Sequence, residues 1–463
     1  MGRGNIFAYF MLLAWPFISI NLYRKKSIQL ATLITIIGGF MVLAVSTSVD
    51  FPLIPPLGKH SMPVVSAIIG CWFVKKQRIK YFSNEGIVQV LVLLLLVGTF
   101  ITIELNSDRI FTGEKILPGL ILHDAISSVI RAFIQITPFF IGKQFFRTYN
   151  DQLLMFRFLV GAGLIYSIPM LFEIRMSPQL HTWIYGYFPH SFAQTSRDGG
   201  FRPVVFMGHG LLVAFFTVCT LTASLVLAEL GGKIRNFPAT RISYFLLFVL
   251  VLCKSKATLL YGIFIFIMVK KISYKNQMRA ATLIAIIALT YPSMSIMKVF
   301  PHERVLEIAS SLAGERRTES LAFRFENEQI LLEHAKERIY FGWGGWGRNR
   351  VYEEESGKDK TVADGKWIGL LGVSGFAGFI SVFGIMVVVI IRAKKSQNYL
   401  KSKNELILLS AHALLVSIIM IDQIPNASLA PWIWLIVGVL LGRAEEIIAE
   451  SKNQKSVIRE MTL

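Results

Sequence analysis

A polar segment of the chain carries two arginines, Arg197 and Arg202, and is followed after Pro203 by His209. A guanidinium group stays charged at physiological pH, and its planar fork binds two phosphate oxygens at once. A histidine beside it could take up or release a proton near neutral pH. The segment therefore predicts a phosphate site, although an ordinary interfacial loop with snorkelling arginines would have the same composition.

A second arginine-bearing segment begins near Arg317 and continues into a predicted amphipathic helix over residues 320–338. Arg317 and Arg324 are seven residues apart, close to two helical turns, so they fall roughly on one face of such a helix. That face offers a second phosphate contact. The alternative is a solvated helix surface on which Arg324 pairs with Glu328, four residues further on.

Downstream of this helix, residues 341–348 read FGWGGWGR. Glycines allow close backbone approach, and Trp343 and Trp346 have flat apolar faces of the kind that pack against sugar rings. A tryptophan belt at a membrane interface is the alternative interpretation. Asp364, just before the next apolar run, could cap a helix N-terminus or exchange a proton with a substrate.

Lys254 and Lys256 interrupt an otherwise apolar stretch, and Arg131 lies inside another. Charged groups within a membrane span are costly and therefore mark candidate functional sites. Lys256 is accordingly a candidate substrate-binding residue. The two lysines could instead mark a short turn between two helices.

Long apolar runs separate these segments, and the chain is 54% hydrophobic and only 17% charged. About 20 apolar residues in a helix cross the hydrocarbon core of a bilayer. We predict an all-α polytopic membrane protein with about twelve or thirteen transmembrane helices in a single transmembrane domain over residues 1–463. The predicted spans are residues 6–23, 28–48, 61–74, 86–104, 124–142, 152–172, 205–230, 242–253, 257–269, 280–295, 367–391, 405–421 and 430–442.

The net charge of +19 resides mostly in short Lys/Arg clusters between apolar runs. The positive-inside rule places such clusters in the cytoplasm, so the charge favours a membrane topology over nucleic-acid binding. Two long segments then lie on the opposite, extracytoplasmic side, a first loop over 173–204 and a large loop over 297–366. The first helix carries little charge to orient it, so the side of the N-terminus stays open.

The chain has three cysteines, Cys71, Cys219 and Cys253, and each falls inside an apolar stretch without metal-ligand spacing. We expect them to be small buried apolar groups. The sequence therefore predicts neither a metal site nor a cofactor.

Several of these motifs together resemble the superfamily of O-antigen ligases and O-antigen polymerases, which includes exopolysaccharide polymerases. The resemblance rests on Arg202-Pro-Val-Val-Phe-Met-Gly-His209, on Arg317 and Arg324 ahead of an amphipathic helix, and on the glycine-rich turn at 342–347. It also includes Gly375-Phe-Ala-Gly378 at the end of the large loop. Ligases of this family usually have His-x-Asn shortly before those glycines, whereas this chain reads Ala363-Asp364-Gly365, which favours polymerase over ligase.

The resemblance implies a GT-C-like bundle in the bacterial inner membrane, with an active site that faces the periplasm. It implies an inverting, metal-independent glycosyltransferase whose donor is a polyprenyl-diphosphate-linked oligosaccharide and whose acceptor is a glycan. Arg202 and Arg324 would bind the diphosphate, helped by Arg197 and Arg317, and Asp364 or His209 would take the acceptor proton. A ligase acting on lipid A core and a lipid-linked sugar flippase are the alternatives, and whether a chain-length regulator takes part stays open.

Overall fold

The computed structural model describes residues 4–51, 54–82, 86–197, 199–313 and 315–461, and it describes no side chains for 309, 312, 313, 315–317, 320 and 455–461. Within these ranges the protein is an all-α polytopic membrane protein. Its α-helices are α1 Ile6–Lys25, α2 Ile28–Leu33, α3 Gly39–Val42, α4 Met62–Ile69, α5 Gly86–Glu104, α6 Leu122–Phe145, α7 Tyr149–Met176, α8 Leu180–Tyr185, α9 Gly210–Glu229, α10 Ala239–Leu252, α11 Lys256–Lys271, α12 Tyr274–Ile296, α13 His302–Ala313, α14 Glu315–Lys336, α15 Lys366–Gln397, α16 Lys403–Asp422 and α17 Pro431–Met461.

Short antiparallel hairpins connect some of the helices. Their strands are β1 Ser48–Phe51 with β2 Ile54–Gly58, β3 Ile110–Thr112 with β4 Lys115–Leu117, β5 Ser196–Arg197 with β6 Gly200–Phe201, and β7 Lys233–Ile234 with β8 Phe237–Pro238. The π-helical turns Ile34–Gly38 and Gly70–Val74 continue α2 into α3 and extend α4.

Each of the thirteen predicted spans overlaps a helix or a run of helical segments in the structure, although residues 43–48 and 205–209 of two predicted spans are not helical. Among the described residues, eight helices are long and apolar enough to cross a membrane by length and composition alone. Three further predicted spans correspond to shorter apolar helical stretches, at Ile28–Val42, Met62–Val74 and Ala239–Leu252. The large-loop helix predicted over 320–338 corresponds to α14, which begins earlier, at Glu315, and ends at Lys336. A separate helix, α13, precedes it and was not predicted.

The helices form an inner group and an outer group. Of the most apolar part of α9, 83% is buried inside the protein, whereas only 28% is buried for α1 and 33% for α5 and for α12. Exposed residues of α5 recur every three or four positions at Ile87, Val90, Leu93, Val97 and Phe100. An apolar stripe of this kind on a helix that is apolar all round is typical of a lipid-facing surface. All three cysteines are buried, as predicted.

The short Lys/Arg clusters between the apolar runs gather at one end of the bundle, here called the basic end. The Gln144 side chain hydrogen-bonds to the backbone of both Arg78 and Lys80, and Lys270 pairs with Glu229 at 2.8 Å. The opposite end, here called the loop end, contains the hairpins β1–β2, β3–β4 and β5–β6 and the connections over 177–209, 297–365 and 423–430. The gathering of these clusters at one end is the arrangement that the alternating spans predict.

Candidate functional site

Glu173, in the last turns of α7, fixes the segment that carries Arg202. Its carboxylate accepts hydrogen bonds from the backbone N–H groups of Val204 and Val205 at 2.8 and 2.7 Å and from that of Leu180 at 3.1 Å. The residue is 1% exposed, so these three N–H groups have little access to water. A buried carboxylate that receives three N–H groups therefore holds both ends of the first loop against α7.

We expect Glu173→Gln to lower the free energy of unfolding by about 1–3 kcal/mol, because the amide NH₂ would face N–H donors that need an acceptor. The matched control is Glu229→Gln, which removes only the partly exposed ion pair with Lys270 and should cost about 1 kcal/mol or less. Thermal unfolding of both variants in the same detergent is the measurement. Equal unfolding temperatures for the two variants would contradict this role for Glu173.

Arg202 is buried and is held by the turn between α10 and α11. Its Nη2 donates to the carbonyl oxygen of Lys254 at 3.0 Å, and Lys254 Nζ donates to the carbonyl oxygen of Arg197 at 3.0 Å. The side chain of Arg197, at the tip of hairpin β5–β6, is exposed. Lys256 begins α11 and is exposed beside this turn, so the two lysines mark a connection between helices at the loop end.

His209 is the N-cap of α9, since its Nδ1 accepts the backbone N–H of Leu211 at 3.0 Å. Its ring meets that of His190 edge to face, with centroids 4.6 Å apart. Burial, then His190, then Arg202, Arg324 and Arg197 lower the pKa of His209 to about 4. The imidazole is therefore neutral at pH 7, and because Nδ1 acts as the acceptor its proton lies on Nε2. In this arrangement His209 offers a donor rather than a free base.

Arg324, on α14, pairs with Asp364 rather than with Glu328. Its Nε lies 3.2 Å from Asp364 Oδ2, and its Nη1 donates to the carbonyl oxygen of Pro425 at 3.3 Å. Glu328 instead accepts hydrogen bonds from Tyr291 Oη at 2.8 Å and Ser295 Oγ at 3.4 Å. The predicted alternative of an Arg324–Glu328 pair is therefore wrong, because Glu328 points to α12.

Asp364 does not cap α15, whose N-cap is Gly365, so the capping interpretation is also wrong. The Asp364 side chain is 39% exposed and that of Arg324 is 33% exposed, so both remain accessible to a ligand.

Three of the predicted arginines, from two loops, converge at the loop end. Arg202, Arg324 and Arg197 all lie near enough to His209 for their charges to lower its pKa, and Asp364 joins them through Arg324. These residues come from parts of the chain more than 100 positions apart. The backbone of Arg317 lies in α14, but its side chain is outside the described part of the structure, so its predicted role remains a prediction.

The glycine-rich turn at 342–347 packs into a break in α15 at Gly375, where φ is 60° and ψ is −162°. The break leaves backbone N–H and C=O groups of α15 without partners in the helix, and the turn and the residues just before it form hydrogen bonds with these groups. Trp343 N–H and Gly344 N–H donate to the carbonyls of Gly372 and Val373 at 2.8 and 2.9 Å. The N–H groups of Phe376 and Ala377 donate in return to the carbonyls of Ile339 and Tyr340. Irregular backbone within a membrane bundle requires this internal pairing.

The two tryptophans of this turn have different surroundings. Trp343 is 8% exposed, stacks on His334 with centroids 4.4 Å apart, and carries the Arg338 guanidinium 4.3 Å from its ring centroid. Its indole is occupied by the protein's own side chains, which corrects the expectation that it presents a face to a sugar. Trp346 is 66% exposed, and its Nε1 donates to Asp124 Oδ1 at 2.9 Å, so its ring remains available.

Acidification is expected to destabilise the loop end, because burial lowers the pKa of both His181 and His209 to about 4. The unfolded chain binds more protons than the folded one between pH 6.5 and about 4, so stability falls as the pH falls through that window. We expect the unfolding temperature to drop between pH 7.5 and pH 5, with a smaller drop for His209→Gln. A drop as large in His209→Gln as in the parent would contradict this role for His209.

Sequence reasoning missed three features of this site. Glu173 and His190 carry no motif that distinguishes them, and only the fold brings them to the Arg202 segment and to His209. Lys366, the first residue of α15, belongs to the Asp364 segment and drew no prediction of its own, although its charge at the start of an apolar run was a usable signal.

Comparison of the chain with protein-family models finds no matching family. A search of curated proteins likewise finds no match.

Proposed function

We propose that this protein is a membrane glycosyltransferase that polymerises polyprenyl-diphosphate-linked oligosaccharide repeat units into O-antigen or exopolysaccharide. The proposal places it in the bacterial inner membrane with its loop end in the periplasm. The observation that carries it is the convergence of Arg202 and Arg324 with His209 and Asp364 at the loop end of a membrane bundle. Two arginines at the end of a lipid-embedded bundle suit a substrate with a diphosphate head and an apolar tail.

In this proposal Arg202 and Arg324 bind the diphosphate that links the donor glycan to its lipid. When the acceptor hydroxyl attacks the anomeric carbon, the bond from that carbon to the phosphate oxygen breaks and its electron pair passes to the leaving diphosphate. Fixed guanidinium groups stabilise this growing negative charge. The hydrogen bond from Arg202 to the Lys254 carbonyl and that from Arg324 to the Pro425 carbonyl preset the two side chains, so little reorganisation is required.

The acceptor proton is proposed to pass to Asp364. His209 is less suited to this role, because its Nδ1 already accepts the Leu211 N–H. Asp364 is paired with Arg324. A bound diphosphate would compete for Arg324 and so leave the carboxylate free to accept the proton, which couples donor binding to activation of the acceptor.

The proposal is tested by the product that the purified full-length protein forms from a lipid-linked repeat unit. A ladder of lengthening glycans, formed with a metal chelator present, supports the polymerase. Transfer of glycan to lipid A core without a ladder would replace the polymerase by a ligase. If neither product forms but vesicles reconstituted with the protein move the lipid-linked sugar across the bilayer, the enzyme proposal is overturned in favour of a flippase.

A further inference from the structure

A second cationic region lies beside the arginine site. Arg131 of α6 and Lys366 of α15 both line two adjoining cavities, of about 290 and 550 Å³. Gln135 also borders both cavities, and its side chain donates to the Leu429 carbonyl at 3.2 Å. The cavities border the candidate site, because Leu212 follows His209 on α9 and Ala427 follows the Pro425 that holds Arg324.

No acidic side chain among the described lining residues balances the positive charge of this region. Among the described residues that line the two cavities there is no aspartate or glutamate. The Arg131 and Lys366 side chains form no ion pair or hydrogen bond with any other described residue. Arg131 lies about 14 Å along α6 from its first residue, at 1.5 Å per residue, and is therefore well inside a membrane span. A cation at that depth without an acidic partner is expensive, and an anionic ligand would offset the cost.

The smaller cavity is polar near the loop end and apolar further in. Thr102, Ser128 and Ser374 line its outer part together with Lys366. Along the same helices, Leu95, Ile136 and Val382 line its deeper part. A polar mouth above an apolar floor fits a molecule with a charged head and a hydrocarbon chain. The walls of this cavity come from α5, α6, α15 and α17, so the cavity lies among apolar helices of the bundle.

We propose that Arg131 and Lys366 bind the phosphate of a membrane lipid whose first hydrocarbon units occupy the apolar part of the cavity. The identity of this lipid rests on the proposed function: it is the polyprenyl-diphosphate-linked acceptor, held beside the donor that Arg202 and Arg324 bind. An anionic phospholipid headgroup offers the same phosphate chemistry, so the experiment includes it as a separate arm.

Native mass spectrometry of the full-length protein in detergent tests the proposal, with undecaprenyl diphosphate in one arm and phosphatidylglycerol in the other. We expect the parent to bind two undecaprenyl diphosphates. Arg131→Gln and Lys366→Gln should each weaken the second one by about 10- to 100-fold, the loss of one hydrogen bond to a charged group. Arg279→Gln, at the basic end, is the matched control and should bind like the parent.

Retention of two equally tight undecaprenyl diphosphates by Arg131→Gln overturns the proposal. Weakening of phosphatidylglycerol alone supports the phosphate site but overturns its assignment to the acceptor. If the parent forms no glycan ladder and Arg131→Gln still loses a lipid, the phosphate site stands while the polymerase proposal fails.

A folding defect is separated from a binding defect by two further measurements. Without added lipid, Arg131→Gln should unfold at or above the temperature of the parent, because it removes a cation that has no partner among the described residues. Arg131→Lys keeps the charge and should bind the second lipid more tightly than Arg131→Gln. Equal weakening by both substitutions would show that charge is not the cause and would overturn the proposal.

Discussion

Arg324→Ala is expected to slow glycan chain growth by about 10²- to 10³-fold, the usual loss when one preset donor to a developing negative charge is removed. The same change should alter the unfolding temperature little, because the Arg324–Asp364 pair is partly exposed and such pairs contribute about 1 kcal/mol or less. The measurement is the rate of ladder formation from a lipid-linked repeat, compared with Arg279→Ala at the basic end. A rate within a few-fold of the parent would contradict the proposal that Arg324 binds the diphosphate.

Substitution of Arg202 should slow glycan chain growth by a similar factor. The position of the Arg202 side chain can be tested separately from its charge. A Cβ at Gly210 would lie 2.1 Å from Arg202 Cδ, so Gly210→Ala must displace the arginine while leaving it in the protein. Arg202→Lys keeps the charge but not the planar fork that binds two phosphate oxygens. Both variants should lose most of the activity. Gly161→Ala is the control, since a Cβ there meets no atom within 4 Å.

Gly375→Ala is expected to have the largest effect on stability, a loss of about 3 kcal/mol or more in the free energy of unfolding. The backbone conformation at Gly375 is one that only glycine adopts readily and costs other residues roughly 1–3 kcal/mol. In addition, a Cβ there would lie 2.3 Å from the Tyr340 carbonyl carbon and 2.4 Å from the Phe341 nitrogen. The clash would separate the glycine-rich turn from α15 and leave the freed backbone groups of the break unpaired.

The same helix provides the control for this prediction. A Cβ at Gly369 of α15 would point into open space, with no atom within 4 Å. Gly369→Ala should therefore be neutral or stabilise the protein by up to about 1 kcal/mol, because alanine favours the helix. The measurement is the unfolding temperature of the two variants in the same detergent. Similar unfolding temperatures for Gly375→Ala and Gly369→Ala would show that the break in α15 tolerates a side chain.

The membrane architecture could be read from the sequence because it depends on local properties. A run of apolar residues either spans about 30 Å as a helix or does not, and basic clusters orient each run without reference to its neighbours. For this reason the thirteen predicted spans all overlap helices, and the basic clusters gather at one end. The turn between α10 and α11 was likewise visible in the position of Lys254 and Lys256.

The pairing of the site residues was decided by tertiary structure. Arg324 has both Glu328 and Asp364 as candidate partners, and local helix geometry favours the former, yet packing of α14 against α12 turns Glu328 toward Tyr291. Trp343 and Trp346 belong to one short turn, but contacts with α14 bury only the first. The sequence by itself determined which segments are long and apolar enough to cross the membrane, and it predicted which residues bind phosphate. Contacts between distant segments decide which of those residues lie together and which are buried. Local sequence patterns do not predict such contacts.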